Sequence, residues 1–480
     1  MSIRPLFKEI KLQGSLEEIF SLFLHDDHPF WLDSSLSGGR MGRYSFMGGC
    51  PFLLFMSKGR CIWQRENAKV RQFEGNPFKA LRESLGRFHV ENENVPFPLV
   101  GGAVGFFSYD LGRMIEKLPQ LAVDDLEVPD IYLGFYDKLL VIDHVENRFF
   151  LVATGLPLQG EEAKLKAASD LKFLEEKLMN LSAVRLENPW SEKNVIAAEI
   201  KTHFSEAEYC RAVERIKAYI AAGDIYQANM TQRLEAPLKM EPYQLYRRLR
   251  CLNPAPFASY LDCGGGLRVL SSSPERFLLL EGDMVETRPI KGTSPRGRTP
   301  EEDKKNREEL LKSEKDRAEL VMIVDLERND LGRVCSYGSV QVPELFVLEE
   351  YAAVFHLVST VKGKLAPQKD VVDLLKATFP GGSITGAPKI RAMEIIEEME
   401  PVRRGIYTGS IGYISFDGRA DLNIAIRTLV NKDDRLYLQV GGGIVADSDP
   451  KLEYEETLHK AKALLKSLGV ENFPEAEKIG

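Results

Sequence analysis

Hydrophobic residues recur along this chain at two spacings, and the change from one to the other marks its elements. Short apolar runs at 51–56, 100–107, 131–136 and 139–143 are separated by glycine-rich turns, which predicts strands and a β-rich stretch over residues 1 to about 155. From about 159 to 182 the apolar positions fall at helical spacing on a charged background, and an amphipathic helix is expected. Residues 183–203 are polar and contain Pro189, so the boundary between two parts is placed there.

The second part opens with Ser205-Glu-Ala-Glu208, a capping box, followed by Tyr209, Val213, Ile216 and Ile220 on one face and Gly223 at the expected end. A helix over 206–221 follows from that pattern. It leads into 225–234, which alternates as a strand and sets Gln227, Asn229 and Thr231 on one face, where polar residues are ordinarily solvated. Hairpin signals recur at 257–261, 268–270, 277–287 across Gly282-Asp283, and 410–430 across Asp417-Gly418, with 436–440 after them. Helices are expected at about 301–327, 370–377, 387–399 and 450–467. Antiparallel hairpins interrupted by helices indicate an α+β fold: two packed, mostly antiparallel β-sheets with helices on the outside. Two parts are expected, residues 1–190 and 200–467, packed as one globular unit.

Composition narrows the classes. The 480 residues are 44% hydrophobic and 28% charged, an ordinary soluble composition. A net charge of -8 leaves no basic surplus for a nucleic-acid or membrane binder. No apolar run approaches the ~18 residues of a membrane span, and the N-terminus lacks a signal-like apolar stretch, so the cytoplasm is the expected location. Six cysteines without a Cys-x-x-Cys pair read as reduced, mostly buried thiols.

Candidate chemistry lies on short segments. Lys291, in Arg288-Pro-Ile-Lys-Gly-Thr293, would ordinarily be a solvated turn lysine; Pro289 and Gly292 nevertheless restrain it. Asp316 and Glu319 share one helical stripe, as do Glu453 and Glu456 with Lys460. Read singly, each pair is a solvated or dipole-matched face; together they offer oxygen ligands without histidine or cysteine, which suits Mg²⁺. Gly381-Gly-Ser-Ile-Thr-Gly-Ala-Pro388 runs into a helix start where an anion could be held, and Gly441, Gly442 and Gly443 precede the second acidic helix. Neither cluster has a nucleotide-binding pattern.

Five ordered segments carry a resemblance: Leu270–Arg276, Arg288–Thr293, Asp316–Asp330, Phe379–Lys389 and Gly441–Pro450. Across residues 200–465 they resemble the chorismate-utilising enzymes, which include the anthranilate, aminodeoxychorismate, isochorismate and salicylate synthases. Phe30-Trp-Leu-Asp-Ser-Ser35 with Gly42-Arg-Tyr-Ser-Phe46 is similar to the N-terminal part of relatives, where a tryptophan-binding region lies; Asp33, Ser34, Arg43 and Tyr44 match it. The resemblance implies an α/β/β/α layering like that of anthranilate synthase component I. It further implies Mg²⁺ bound by Glu319 and Glu456, with Asp316 and Glu453 holding its waters. Arg427, Tyr407, Lys460, Thr385, Gln227, His356 and the glycines 441–443 match substrate-binding positions, and Glu275 matches the acid that protonates the departing hydroxyl.

Within that family anthranilate synthases carry alanine where this chain has Lys291, and aminodeoxychorismate synthases carry lysine. Asp316 supports the same branch, and Leu320 departs from the His or Asn of many relatives. Gln227 replaces the lysine with which isochorismate and salicylate synthases activate water. The implied activity is amination of chorismate to 4-amino-4-deoxychorismate, toward para-aminobenzoate and folate. Lys291, kept as free amine by burial beside the metal and Arg288, would attack ring carbon C2 before ammonia enters at C4. The chain shows no Gly-x-Cys-x-Gly nucleophile, so ammonia is expected from a separate glutamine amidotransferase subunit, and ending at Gly480 it would carry no fused lyase. Competing expectations are an anthranilate synthase component and a non-catalytic sensor of a small ligand.

Overall fold

The computed structural model describes residues 3–36, 41–66, 69–91, 95–190, 200–351, 354–470 and the short strand Glu477–Lys478. Two large sheets dominate. The first, with 13 strands among the described residues, runs in the order Leu6–Ile10, Arg148–Ala153, Lys138–Asp143, Tyr44–Gly48, Phe30–Asp33, Phe257–Asp262, Leu267–Ser273, Thr428–Lys432, Arg435–Ile444, Gln227–Pro237, Lys201–Thr202 and Glu477–Lys478, with Gly386–Ala387 beside Gln227–Pro237. The second has 12 and carries Ile290–Pro295, Val354–Lys364, Met284–Arg288, Arg276–Glu281, Ala420–Asn423, Ser410–Ser415, Gly102–Phe107 and Ile131–Tyr136 in succession, then Leu53–Lys58 and its hairpin. Pairing is antiparallel except between Lys201–Thr202 and Glu477–Lys478.

Both sheets pass through both parts of the chain. Phe30–Asp33 pairs with Phe257–Asp262 in one, and Gly102–Phe107 pairs with Ser410–Ser415 in the other. A continuous core containing Phe55, Phe106, Phe135, Val269 and Leu422 packs the inner faces together. Helices Leu16–Ser21, Gly160–Met179, Pro242–Leu252 and Pro450–Ser467 cover the outer face of the first sheet around Trp31, Tyr246 and Leu464. Each such large side chain removed from water contributes roughly 1.5–3 kcal/mol. No helix among the described residues is long and apolar enough to cross a membrane.

Helix Glu206–Ala221 starts at the predicted capping box, Ser205 Oγ accepting from Glu208 N at 3.3 Å and Glu208 Oε2 from Ser205 N at 3.0 Å. The helix expected at 301–327 is two, Pro300–Lys312 and Glu314–Gly332. Ser313 divides them: its extended backbone ends one helix while its hydroxyl caps the next through Asp316 N. Leu16–Ser21, Pro77–Gly86 and Pro242–Leu252 are helices in stretches not read as helical, and Gln341–Glu350 with Val354–Lys364 is an unforeseen long hairpin. The cysteines are free but not mostly buried: Cys263 is buried, whereas Cys50 and Cys251 are exposed. Part of the expected boundary, 191–199, lies outside the described residues.

Candidate active site

Past Leu438 the strand Arg435–Ile444 outruns its neighbour Thr428–Lys432, and that end of it opens onto a cavity of about 450 Å³. Lys291 reaches the cavity from Ile290–Pro295, which is a strand and not a free turn. Its pairing with Val354–Lys364 slips between Ile290 and Thr293, around Gly292. Gly292 has φ +78°, a conformation that favours glycine. A Cβ there would also meet Leu310 Cδ1 at 2.8 Å and Asp316 Cγ at 2.9 Å. The resulting bulge leaves Lys291 in the cavity wall, Nζ donating to Ser383 O at 3.4 Å.

Glu275 enters at the turn after Leu267–Ser273 and is 5% exposed. Burial pushes its pKa up to about 6, against the pull of the Ser383 hydroxyl, Lys291, the Ile290 N–H and Arg427. Such a carboxyl can deliver a proton near neutral pH. Burial also lowers the pKa of Lys291, opposed by Glu319 and Glu275 and assisted by Lys460. Arg288 does not play the part expected of it: it is buried, donates to Glu344 Oε2 at 3.0 Å and Thr360 Oγ1 at 2.6 Å, and pairs with Glu349. The cation acting on Lys291 is Lys460, on another helix.

Two helix N-terminal segments bring in the carboxylates. Asp316 and Glu319 come from Glu314–Gly332, Glu453 and Glu456 from Pro450–Ser467, and all four line the cavity. The positive ends of both helices offset part of the repulsion among these acids. Burial raises the pKa of Glu319, opposed by Lys291 and Lys315. At Glu456 the burial effect is outweighed by Lys460, 2.7 Å away, and the carboxyl is held below its ordinary value. Lys460 also donates to Gly441 O at 2.8 Å, and Ser448 Oγ donates to Glu453 Oε1 at 2.7 Å.

The donor set is oxygen-only, as a hard divalent cation requires. A Cβ on Gly442 would stand 3.2 Å from Glu453 Oε2 and 3.8 Å from Glu456 Oε1, so the glycine keeps that space open. Among the described residues no three such groups draw together into a ready-made metal cage.

Arg427, at φ +51°, and Thr408, at φ +59°, adopt left-handed backbone beside the cavity, a strain of the kind that clusters at functional sites. Arg427 lines the cavity with Tyr407, whose phenol is raised by burial. His356 is buried, bonded to Thr293 Oγ1 through Nδ1 at 2.9 Å, and pushed down to about 3 by burial and by Arg427, so it is neutral at pH 7.

Gly441, Gly442 and Gly443 line the cavity as well. Thr385 does not: it is fully buried and its hydroxyl donates to Gly381 O at 2.9 Å, leaving Ser383 and Ile384 to represent that loop. The start of helix Lys389–Met399 is likewise absent from the lining; Lys389 turns back to Asp330 Oδ2 (2.5 Å), Thr378 O (2.8 Å) and Pro380 O (2.8 Å). Gln227, Asn229 and Thr231 share a face that is buried and not solvated. Of these Asn229 reaches the lining directly, and Gln227 packs behind Gly443. Sequence reasoning assigned no site role to Asn229, Lys315, Thr293, Ser383 or Gln439, which also line the cavity. The alternation of Gln227 and Asn229 was the one signal for Asn229, and Lys315 was hidden in a helix charged all round.

A second cavity, of about 500 Å³, lies between strands of the two sheets. Asp33, Ser34, Arg43 and Tyr44 line it with Phe257, Arg276 and Tyr413. Asp33 accepts from Tyr246 Oη at 3.1 Å and Arg250 Nε at 2.6 Å, and Arg43 Nη2 donates to Asp143 Oδ2 at 2.8 Å. Arg276, adjacent in sequence to Glu275, pairs there with Asp421 and Glu286.

Comparison with known proteins defines the class: residues 51–466 match the chorismate binding enzymes, and the chain belongs to that family. It is 41% identical to the anthranilate synthase component 1 of Acetivibrio thermocellus, over 94% of this chain and 92% of that one. It is also 41% identical to the aminodeoxychorismate synthase component 1 of Bacillus subtilis, over 97% of each. The solved anthranilate synthase component I of Streptococcus pneumoniae superimposes with a TM-score of 0.77 at 34% identity, covering 88% of this chain and 91% of that one. The two-sheet architecture is thus that of the family.

Proposed function

We propose that this chorismate-binding enzyme aminates chorismate to 4-amino-4-deoxychorismate, on the route to para-aminobenzoate and folate, using ammonia from a separate glutamine amidotransferase subunit. The observation that carries the reading is the pairing in one cavity of Lys291, an amine whose pKa is lowered by burial, with Glu275, an acid raised to about 6. Chorismate is a dicarboxylate, and Lys315, Lys460 and Arg427 supply cationic groups around the cavity. Its C4 hydroxyl is a poor leaving group and departs as water on the Glu275 proton. Lys291 forms a bond to C2 as the hydroxyl leaves; ammonia then bonds to C4, and the Lys291 bond breaks. The enolpyruvyl group is untouched throughout.

Glu319 and Glu456 would hold Mg²⁺, with Asp316 and Glu453 binding its waters, and the ion would neutralise a ring carboxylate. Relatives named for either aminating reaction stand at the same 41% identity, so the product decides between them. Mass spectrometry after incubation with chorismate, ammonium and Mg²⁺, with and without a glutaminase subunit, is expected to show the aminated product with its enolpyruvyl group retained. Anthranilate and pyruvate as the products would overturn the assignment. Asp33, Ser34, Arg43 and Tyr44 belong in this reading to an effector pocket for tryptophan, checked by calorimetric titration with the amino acid.

A further inference from the structure

One buried ion pair fastens the cavity wall from behind without lining the cavity itself. Arg404 is 3% exposed and Glu400 4%. They meet through two parallel contacts, Nε donating to Glu400 Oε2 at 2.9 Å and Nη2 to Oε1 at 2.7 Å. The remaining N–H groups of the guanidinium leave for three separate segments. Nη1 donates to Ile384 O at 2.9 Å and to Thr408 Oγ1 at 3.4 Å, and Nη2 donates to Asn229 O at 2.6 Å. All five N–H donors of the group are thereby used. Its charge also stands over the Tyr109 ring, 4.7 Å from the centroid. On the other side Glu400 Oε1 accepts from Thr231 N at 3.0 Å and Thr231 Oγ1 at 2.8 Å, and Thr231 Oγ1 accepts from Gln439 Nε2 at 3.2 Å.

The segments so joined are those that furnish the wall. Asn229 on Gln227–Pro237, Ser383 and Ile384 of the loop, Tyr407 of the turn before Ser410–Ser415, and Gln439 on Arg435–Ile444 all line the cavity. Ser383 touches both reacting groups: its carbonyl accepts from Lys291 Nζ at 3.4 Å, and its hydroxyl draws the pKa of Glu275 down. Arg404 holds the next carbonyl along, that of Ile384. Thr408, a β-branched residue at φ +59°, is kept in left-handed backbone with its hydroxyl between Arg404 Nη1 and Tyr407 O. A buried ion pair is a poor source of stability, since well-packed apolar side chains in the same space serve as well or better. What apolar side chains cannot supply is this set of directed bonds to four segments.

We propose that Arg404 and Glu400 are positioning residues of the active site, fixing the strand, the Ser383 loop and the Tyr407 turn relative to one another and so the placing of Lys291 and Glu275 against the ring. The inference rests on the reading above only in taking this cavity as the place where chorismate is consumed. It assumes no particular product.

The test pairs thermal melting with steady-state consumption of chorismate by the full-length chain, at saturating ammonium and Mg²⁺, with kcat counted per folded molecule. Arg404→Met alone strands a buried carboxylate and is expected to lower the melting temperature. The double variant Arg404→Met/Glu400→Leu removes both charges and is expected to recover most of that loss. Its kcat is nevertheless expected to stay about 10²-fold below wild type, the effect of a small misplacement of reacting groups. Its chorismate KM is expected to change less than about threefold, because Lys315, Arg427 and Lys460 stand outside the bonded set. Arg404→Lys keeps the charge but not the fork, and is expected to fold with kcat lowered about tenfold. A double variant that regains both melting temperature and wild-type kcat overturns the proposal, leaving the pair a structural role alone. If the double variant does not fold, wild-type kcat in Arg404→Lys overturns it equally. Wild-type protein that consumes no chorismate would instead overturn the reading of the cavity, so the two failures are distinguishable.

Discussion

Lys291 and Glu275 divide the proposed chemistry between a base form and an acid form. Activity requires Glu275 protonated, which is lost as pH rises through about 6, and Lys291 unprotonated, which is lost as pH falls below its lowered value. The two titrations act in opposite senses on kcat/KM, the amine form of Lys291 growing with pH and the acid form of Glu275 declining, and the break near 6 belongs to Glu275. Glu275→Gln is expected to abolish the break near 6 and to lower kcat/KM by roughly 10²–10⁴-fold, the usual worth of a general acid. A retained break in its pH profile would assign it to another group. Lys291→Ala is expected to remove turnover with chorismate still bound, and wild-type rates from it would exclude the nucleophilic role. None of these values was legible in sequence: Lys291 looked like a surface turn because the bulge at Gly292 and the helix behind it depend on contacts with Asp316 and Leu310.

At the scale of elements, the loop carrying Ser383 is held at its start by one partly buried cation. Lys389 joins Asp330 of helix Glu314–Gly332 to the carbonyls of Thr378 and Pro380. Lys389→Met is expected to lose about 3–5 kcal/mol of stability in thermal or urea melts, because Asp330 is left charged and buried. Adding Asp330→Leu is expected to return much of that loss. Recovery in the double variant would show that the penalty lies in the stranded carboxylate and not in the loop. Local pattern predicted such helices well where caps were explicit, as at Ser205, and missed the break at Ser313 because a capping serine inside a long charged run has no periodic signature. It also missed Gln341–Glu350, whose alternation is weak on an edge-like, half-exposed hairpin.

At the scale of the molecule, neither half of the chain owns a sheet. Residues 1–190 supply the partners of Phe257–Asp262 and Ser410–Ser415, so either half alone leaves a long unpaired edge and an open core. Expressed separately, residues 1–190 and 200–480 are expected to aggregate; co-expressed, they are expected to form a one-to-one complex on size exclusion. A soluble, folded monomer of either half would show that the sheets are separable. The same continuity places the second cavity between the sheets, with Arg276 on its wall one residue from Glu275.

The sequence by itself determined the α+β class, most helices, the family and the residue types able to bind a dicarboxylate, because periodicity, caps and ordered motifs are local. Only the tertiary structure decided which of those residues share a cavity. Asp316, Glu319, Glu453 and Glu456 converge from helices more than a hundred residues apart, and strand pairing sets Asn229 opposite Gly443 in the cavity wall with Gln227 behind that glycine. It likewise decided which charges act on Lys291, replacing Arg288 with Lys460. The physical reason is the same in each case: burial and electrostatic neighbours are set by packing between distant segments, which no local spacing encodes.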